Sequence, residues 1–486
     1  MFWKLLFLVA SAIFLFVDPR ISPIALQDEA RNANNALEMY LTGPSLITTF
    51  DFRPDLWNTK PPLLIWLMDA SMTLFGPSEW AIRLPSALAA LGTLLATLLF
   101  TRRVTGSLPV ALLAGTMLLL SPGFFGEHGA RTADFDATLT FFVTVALQLI
   151  FFAVHRAKPT MASMLLIGAL VAGGAMTKST AAFIPVAGVL VYVALVGRLK
   201  RVLRLAPRYS VAVATAIIPL LGFYLLREAA GPGYLAAAYH NDMAGRFSEA
   251  LNVETRPTFY LTSLLPGWFF GGAFLIATPL AFAKLLGRTR LLLIYAASIV
   301  LFSLLVLSAA TNRALQYALP LFPWLSILAA LAFRHLVSLA VKSWGRGRRV
   351  EPLVLAAALG LAVGLPAYQA AYWRYKRFPA RDFYPQSSYG DLFAALAARG
   401  VTDVTVVDPG IMHLGKPGYA PLLRWHQLVW REKGLRARRA MVDQPQLRLP
   451  IASCEPTISM SWGAGAERLG SCAVLWRRPV AAPVRG

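Results

Sequence analysis

Long stretches without a charged side chain constrain the fold of this chain more than any other feature. About 20 helical residues cross the hydrocarbon layer of a bilayer, and eleven uncharged stretches are candidates for spans. Hydrophobic residues make up 57% of the chain and charged residues 14%, unlike soluble domains. We therefore predict an all-α polytopic membrane protein. The candidate spans are 5–17, 84–101, 104–126, 137–154, 159–177, 179–197, 209–226, 257–283, 291–312, 314–333 and 352–373.

The first candidate span, 5–17, has two interpretations. Its short apolar run after Lys4 also fits the core of a secretory signal peptide. No small-residue cleavage motif follows it, which favours a retained helix. Either interpretation delivers the following loop to the same side of the membrane.

The connections between spans alternate in charge. One set holds eighteen bases and one acid, whereas the other holds eleven bases and fifteen acids. Short cytoplasmic loops carry the excess of Lys and Arg, so the sequence predicts a cytoplasmic N-terminus and an external segment after the last span. Most of the net charge of +22 therefore lies in connections where it sets the orientation of the chain in the membrane. The chain lacks the solvated basic module of a nucleic-acid binder.

The first predicted outer loop, 18–83, contains two apolar stretches that are too short to span. They cover 32–41 and 61–75, broken at Asp69, and we predict amphipathic helices on the membrane surface. Lys60 precedes Pro61 and Pro62 at the entry to the second. Because a helix N-terminus attracts anions, this position suits a phosphate group.

The second outer segment is rich in ionisable side chains. It carries Glu127, His128, Arg131, Asp134 and Asp136 at the entry to a predicted span. Carboxylates that enter a membrane helix are costly unless they face a cavity or a cation, so they are functional candidates. The alternative is an ordinary interfacial position with Arg131 as ion-pair partner.

Two further outer segments add cations. Lys178 lies between two apolar runs and either faces the site or extends its ammonium group to the interface. The loop 227–256 holds His240, Arg246 and Arg256. A group of carboxylates surrounded by cations is suited to bind an anionic substrate that carries a phosphate and is anchored in lipid. Sequence motifs for ATP binding or for serine or zinc hydrolases are missing from the chain.

Several motifs follow one another in order over residues 1–340, all on the predicted outer face. They are Asp28-Glu29-Ala30-Arg31, Trp57 to Pro62, Arg83-Leu84-Pro85, Arg131 with Asp136 to Phe142, Met176-Thr177-Lys178, Asn241 to Phe247, Arg256-Pro257 with Phe259-Tyr260, and Gln316-Tyr317 to Pro323. In this order they resemble the GT-C membrane glycosyltransferases, specifically the lipid A aminoarabinose transferase and protein O-mannosyltransferase group.

The resemblance implies an inverting transfer of a sugar from a polyprenyl-phosphate donor to a periplasmic acceptor, with no nucleic acid involved. The favoured acceptor is lipid A or lipopolysaccharide core. Protein O-glycosylation is the alternative within the class, and a flippase for the lipid-linked sugar is the alternative outside it. The resemblance also implies a multi-pass protein of the bacterial inner membrane, whose site faces the periplasm in contact with membrane lipid.

The resemblance also assigns roles to individual residues. Asp28 is the candidate base, with Glu29 and Asp136 as further catalytic carboxylates. The expected phosphate-binding cations are Arg31, Lys60, Arg131, Lys178 and Arg246. The expected lining of the donor and acceptor cavity is Trp57, Asp134, His240, Arg256, Tyr260 and Tyr317.

One departure from the family pattern bears on metal dependence. Many aminoarabinose transferases have Glu-Lys-Pro where this chain has Thr59-Lys60-Pro61, so one potential carboxylate ligand is missing. His128 and His240 could replace it, although an isolated histidine is more often a hydrogen-bonded structural residue. We expect no certain cofactor, and a divalent metal is possible but not favoured.

Charge and proline content rise after residue 373, which predicts a transmembrane catalytic domain over 1–373 and a small periplasmic α/β domain over 374–486. A helix is expected at 389–399 and a β-branched strand at 401–407. Cys454 and Cys472 either pair in an oxidising compartment or remain two buried thiols. The arginines between 431 and 439 either contact anionic headgroups or form a solvated face.

Overall fold

The computed structural model describes residues 24, 27–244, 256–343, 350–362, 364, 368, 389–408, 420–441, 443–444, 447–454, 456–462 and 465–476. The predicted span 5–17, the end of the predicted span 352–373 and the candidate residue Arg246 lie outside these ranges. The described ranges comprise apolar helices, with a small sheet domain that packs at one end of them.

Two amphipathic helices precede the long apolar ones. They are α1 (Gln27–Thr42) and α2 (Leu63–Phe75), joined by a loop with a short antiparallel pair, β1 (Thr49–Phe50) and β2 (Arg53–Pro54). Both fall where the sequence predicts surface helices. However, α1 is not open to a membrane surface, because polar residues such as Asn34 and Glu38 on it are fully buried.

Six helical stretches are long and apolar enough to cross a membrane. They are Glu79–Thr105, Phe135–His155, Met161–Leu195, Ala206–Ala230, Gly287–Ala309 and Leu315–Ser343. With the shorter helices between them, the series runs α3 (Glu79–Thr105), α4 (Leu108–Leu120), α5 (Pro122–Phe125), α6 (Phe135–His155), α7 (Met161–Lys178), α8 (Phe183–Leu195), α9 (Leu199–Arg204), α10 (Ala206–Ala230), α11 (Tyr234–Ala238), α12 (Thr278–Lys284), α13 (Gly287–Ala309), α14 (Phe322–Ser343) and α15 (Val350–Ala362).

The longest of these stretches consists of two antiparallel helices, α7 and α8. The chain reverses at Ser179, whose φ is 52°. At the far end Tyr192 of α8 is 3.0 Å from His155 of α6, whereas Lys178 meets the opposite end of α6. The two spans predicted at 159–177 and 179–197 are therefore confirmed as an antiparallel pair.

The predicted span 257–283 differs from a regular α-helix. It consists of a π-helical segment (Tyr260–Trp268), a 3-10 segment (Gly272–Ala277) and α12. Prolines and glycines within it, including Pro266 and Gly272, disfavour a continuous helix. A Cβ at Gly272 would lie 2.0 Å from the carbonyl oxygen of Leu265, so the backbone folds tightly against itself there.

The C-terminal part forms a mixed sheet with helices beside it. Its elements are α16 (Tyr389–Ala398), β3 (Asp403–Val407), α17 (Pro421–Glu432), β4 (Arg436–Ala440), β5 (Ile451–Ser453), α18 (Pro456–Ser461), β6 (Glu467–Leu469) and β7 (Cys472–Leu475). The strand order is β4-β3-β5-β7-β6, parallel in the first three strands and antiparallel in the rest. The predicted helix and strand are both confirmed, and Cys454 forms a disulfide with Cys472.

The C-terminal domain packs on α1 through α17. The Nδ2 atom of Asn34 donates to the carbonyl of Pro421 at 2.8 Å, and Arg424 lies 3.0 Å from Asp51. Apolar side chains of α1, α2, α16 and α17 form a single buried cluster. This packing explains the burial of α1, which the sequence alone did not predict.

A buried ion pair ties α1 to α3. The Nε and Nη2 atoms of Arg83 lie 2.6 and 2.9 Å from the two carboxylate oxygens of Glu29. The side chains are 2% and 1% exposed, and the backbone N–H of Ala133 also donates to Glu29. All three contacts hold α1 at the entrance to α6.

We predict that Arg83→Met lowers the free energy of unfolding by about 3–5 kcal/mol, because it leaves the Glu29 carboxylate buried without its cation. Denaturant titration of the detergent-solubilised protein measures this loss. Arg438→Met is the control, since its pair with Asp403 is about half exposed and contributes little. Equal effects of the two substitutions would contradict the prediction.

Candidate active site

The ionisable residues that the sequence places on one face meet at one end of the helices. Lys178, at the end of α7, lies 2.5 Å from Asp136, in the first turn of α6. At the opposite end, Arg198 of a basic connection donates to the carbonyl of Val154, near the end of α6. The acidic and basic sets of connections therefore lie at opposite ends, as their alternation predicts.

Asp28 lies in the first turn of α1 and remains accessible. Its side chain is 49% exposed, and its Oδ1 atom is 2.8 Å from the Nη2 atom of Arg31, which is 9% exposed. Desolvation raises the pKa of Asp28, but attraction to Arg31 outweighs it together with weaker attraction to Lys60 and His128, so the net shift is downward. Asp28 is thus an ionised and reachable carboxylate.

Glu29 points away from this accessible carboxylate. Both of its oxygens bind Arg83, and Oε1 also accepts from the amide of Ala133. This geometry supports a positioning role for Glu29 rather than direct contact with a substrate. Arg31 follows Asp28 by three residues, about one helical turn, and therefore lies on the same face of α1 as Asp28.

His128 and Asp134 form an ion pair beside Asp28. The Nδ1 atom of His128 contacts Oδ2 of Asp134, while Oδ1 of Asp134 accepts from the backbone N–H of Phe135 at the start of α6. Desolvation lowers the pKa of His128, but Asp134, Asp136 and Asp28 raise it to about 9. The sequence named His128 among the ionisable residues of the outer segment and as a possible metal ligand, but it did not predict this pair with Asp134.

Asp136 and Lys178 line a cavity of about 270 Å³. The Oδ2 atom of Asp136 is buried and has no hydrogen-bond partner among the described residues. Lys178 also lies 5.2 Å from the centre of the Tyr317 ring. Apolar residues make up most of the remaining wall, including Ile184, Val306, Leu307, Pro320 and Leu321.

A short segment after α10 folds over the loop that carries Lys60. The Oγ1 atom of Thr59 donates to Asp242 at 2.7 Å, and the hydroxyl of Tyr234 donates to the carbonyl of Thr59 at 2.6 Å. Asp242 also lines the cavity with Lys178. Sequence reasoning missed Asp242 as a site residue, because only the tertiary fold brings it to Thr59.

The remaining predicted site residues differ in burial and in their distance from the cavity. Lys60 lies 5.4 Å from the ring centre of Phe135, at the start of α6, and Trp57 is half-buried under the segment that includes Asn241. Tyr260 is buried in the helix core and donates to the carbonyl of Ala314, so it does not line the cavity. Arg131 is buried in the turn before α6, His240 and Arg256 are exposed, and Arg246 lies outside the described residues.

Asp28, His128 and Asp134 each offer one potential metal-ligating atom, and these atoms lie within 4.8 Å of one another. His128 and Asp134 contact each other directly. Among the described residues, these three side chains are the group that could hold a metal ion.

Sequence comparison relates the chain to enzymes that use lipid-linked sugars. A family model described as dolichyl-phosphate-mannose-protein mannosyltransferase matches residues 59–224. The undecaprenyl phosphate-alpha-4-amino-4-deoxy-L-arabinose arabinosyl transferase of Pseudomonas savastanoi is 27% identical over 68% of this chain and 61% of its own length. A second such transferase, from Pseudomonas fluorescens, is 27% identical over 59% of this chain and 47% of its own. The matches thus span less than two thirds of these relatives.

Structural comparison covers nearly the whole chain. The crystal structure of ArnT from Cupriavidus metallidurans bound to undecaprenyl phosphate matches with a TM-score of 0.68 and 17% identity over 97% of both chains. The archaeal oligosaccharyltransferase AglB from Archaeoglobus fulgidus, in complex with an inhibitory peptide and a dolichol-phosphate, matches with a TM-score of 0.51 and 15% identity. This match covers 93% of this chain and 69% of AglB.

Identities this low establish the fold alone, and the sequence matches show which transferases the chain is similar to. The order of the motifs agrees with the sequence matches, and the helical bundle with its C-terminal sheet domain agrees with the structural match to ArnT. The chain is a multi-pass membrane protein with a GT-C fold like that of ArnT, and its sequence is similar to the aminoarabinose transferases and to the protein mannosyltransferase family.

Proposed function

We propose that this chain is an inverting glycosyltransferase that uses a sugar linked to a polyprenyl phosphate. The observation that carries the proposal is Asp28, an accessible ionised carboxylate beside cations, on the same face as a mostly apolar cavity that Asp136 and Lys178 line. A general base and a cationic binding site for a phosphate leaving group are the two parts that such a displacement requires.

The displacement assigns a task to each group. The acceptor oxygen forms a bond to the anomeric carbon while the bond from that carbon to the phosphate oxygen breaks. The proton of the acceptor hydroxyl passes to Asp28. The polyprenyl phosphate leaves with the bonding electron pair, and Lys60 and Arg31 stabilise its negative charge. Asp136 accepts a hydrogen bond from a substrate hydroxyl through its Oδ2 atom.

The cavity suits the junction between the sugar phosphate and its lipid. Lys178 and Asp136 provide charge at one side, and Tyr317 lies against Lys178. The rest of the lining is mainly aliphatic, which suits the first isoprenyl units of a lipid chain. The relatives named above use undecaprenyl phosphate and dolichyl phosphate donors, and we extend this class of donor to the present chain.

The proposed setting is the bacterial inner membrane, with the site and the domain 374–486 in the periplasm. The asymmetry of Lys and Arg between connections supports this orientation. The disulfide between Cys454 and Cys472 also supports it, since disulfides persist in oxidising compartments. Similarity to aminoarabinose transferases favours lipid A or lipopolysaccharide core as the acceptor.

Two alternatives make different predictions about the product. The family model that matches residues 59–224 names protein mannosyltransferases, which favours a protein acceptor. A flippase would move the donor without forming a product. Transporters commonly place polar residues near the middle of the membrane, whereas Asp28, Lys60, Asp136 and Lys178 gather at one end of the helices, which favours the enzyme.

We predict that Asp28→Asn lowers kcat by about 100-fold or more, because the amide cannot accept the proton of the acceptor. Turnover of the purified variant with a polyprenyl-phosphate-linked sugar, followed by mass spectrometry, measures the loss. Asp51→Asn is the control, since that carboxylate is 68% exposed and contacts Arg424 of the C-terminal domain. Wild-type turnover by Asp28→Asn would remove Asp28 from the mechanism.

We predict that Lys60→Ala raises the KM for the donor by about tenfold or more, because a charge-assisted hydrogen bond to phosphate is lost. Initial rates at varied donor concentration give this value. Lys158→Ala, an exposed lysine at the opposite end of the helices, should leave KM unchanged. An unaltered KM in Lys60→Ala would exclude Lys60 from phosphate binding.

We predict that deletion of the gene removes a sugar from lipid A or lipopolysaccharide core, measured by mass spectrometry of extracted glycolipids. Periplasmic glycoproteins from the same strains are analysed in parallel. Loss of a sugar from a glycoprotein alone would replace the glycolipid acceptor with a protein. Donor movement across proteoliposomes without any product would instead identify a flippase.

A further inference from the structure

Thr59 is held in place through both its side chain and its backbone. Its Oγ1 atom donates to Oδ2 of Asp242 at 2.7 Å, and its carbonyl accepts from the hydroxyl of Tyr234 at 2.6 Å. Thr59 is buried, and hydrogen bonds away from water are strong. Both partners belong to the segment 234–242 after α10, at least 175 positions further along the chain. That segment therefore fixes where Thr59 lies.

The segment 234–242 is itself attached at both ends. The guanidinium of Arg227, on α10, lies 4.7 Å from the ring centre of Tyr234, a distance at which a cation is attracted to the face of an aromatic ring. Near the other end, the Nδ2 atom of Asn241 donates to the carbonyl of Leu56 at 3.0 Å. The segment thus joins α10 to the loop before α2.

Lys60 follows Thr59 and precedes two prolines. A proline disfavours helical backbone at the residue before it, and the rings of Pro61 and Pro62 fix their own φ. The backbone of Lys60 is therefore restrained by Thr59 on one side and by the prolines on the other. Its ammonium group lies 5.4 Å from the ring centre of Phe135, at the start of α6.

We propose that Asp242 is a positioning residue for the donor, because its hydrogen bond with Thr59 holds Lys60 where the ammonium group meets the donor phosphate. The inference rests on the proposed glycosyl transfer and adds a residue from a distant segment to that site. Asp242 also lines the cavity with Lys178, so one residue contacts both the cavity and the loop that carries Lys60.

The sign of the effect separates positioning from simple electrostatics. A carboxylate repels a phosphate, so loss of the Asp242 charge by itself should strengthen the binding of a polyprenyl phosphate. Loss of the hydrogen bond to Thr59 should weaken that binding, because the backbone before Lys60 loses a restraint. Asp242→Ala removes both the charge and the hydrogen bond. Asp242→Asn removes the charge but keeps a carbonyl oxygen that can accept from Thr59.

Binding of undecaprenyl phosphate to the detergent-solubilised full chain tests the inference without a transfer reaction. We expect Asp242→Ala and Thr59→Val each to raise the Kd about fivefold, as the loss of one hydrogen bond would. Asp242→Asn and Thr59→Ser keep that bond and should stay within about twofold of the wild type. Thr73→Val is the matched control, because the exposed Thr73 hydroxyl donates to a carbonyl one turn earlier in α2.

Double variants show whether the contact acts through Lys60. In the Lys60→Ala background, Thr59→Val should cause no further loss of binding, since the cation that Thr59 positions is gone. An equal loss in that background would overturn the inference, because Thr59 would then act independently of Lys60. Unchanged or tighter binding by Asp242→Ala would also overturn it.

The wild type distinguishes this inference from the proposed function. A wild-type chain that neither binds undecaprenyl phosphate nor transfers a sugar would refute the proposed function and the inference together. A wild type that binds and transfers, beside an Asp242→Ala variant with an unchanged Kd, would overturn the inference alone.

Discussion

Glu29 and Arg83 form a two-point ion pair where neither side chain reaches water, and the position of α1 depends on it. Glu29 also accepts from the amide of Ala133, so one carboxylate joins α1, α3 and the turn before α6. Asp28 is adjacent in the chain and therefore presents its carboxylate on the accessible side of the same helical turn. The buried carboxylate of Glu29 thus fixes the helical turn that carries Asp28, the proposed base.

The site balances charge across several elements rather than within one motif. Asp28 pairs with Arg31, Asp134 with His128 and Asp136 with Lys178, while Lys60 adds a further cation. Burial alone would raise the pKa of Asp28, but Arg31, Lys60 and His128 lower it, so the net shift is downward. In the proposed mechanism, a phosphate that enters the site meets the cations Arg31, Lys60 and Lys178, and Asp28 stays ionised to accept a proton.

Sequence patterns predicted where the helices of the membrane part lie, but they did not predict which of these helices are continuous. Apolar stretches of the right length became α3, α6, α10 and α13, because a helix is the only open segment that satisfies its backbone groups within lipid. The stretch 257–283 is also free of charged side chains but breaks into π, 3-10 and α segments. Its prolines and glycines disfavour a continuous helix, yet the form of the break depends on packing against Leu265 and its neighbours.

By itself the sequence determined the membrane class, the sidedness of charge and the identity of most ionisable site residues, since these follow from length, composition and order along the chain. Only the tertiary structure decided their partners. In the folded chain Glu29 pairs with Arg83, and Asp242 contacts Thr59, from which it is separated by 183 residues of sequence. Tyr260 is buried in the core, and the C-terminal domain covers α1. Contacts between residues distant in sequence leave no local periodicity, because they depend on how whole helices pack and not on neighbouring residues.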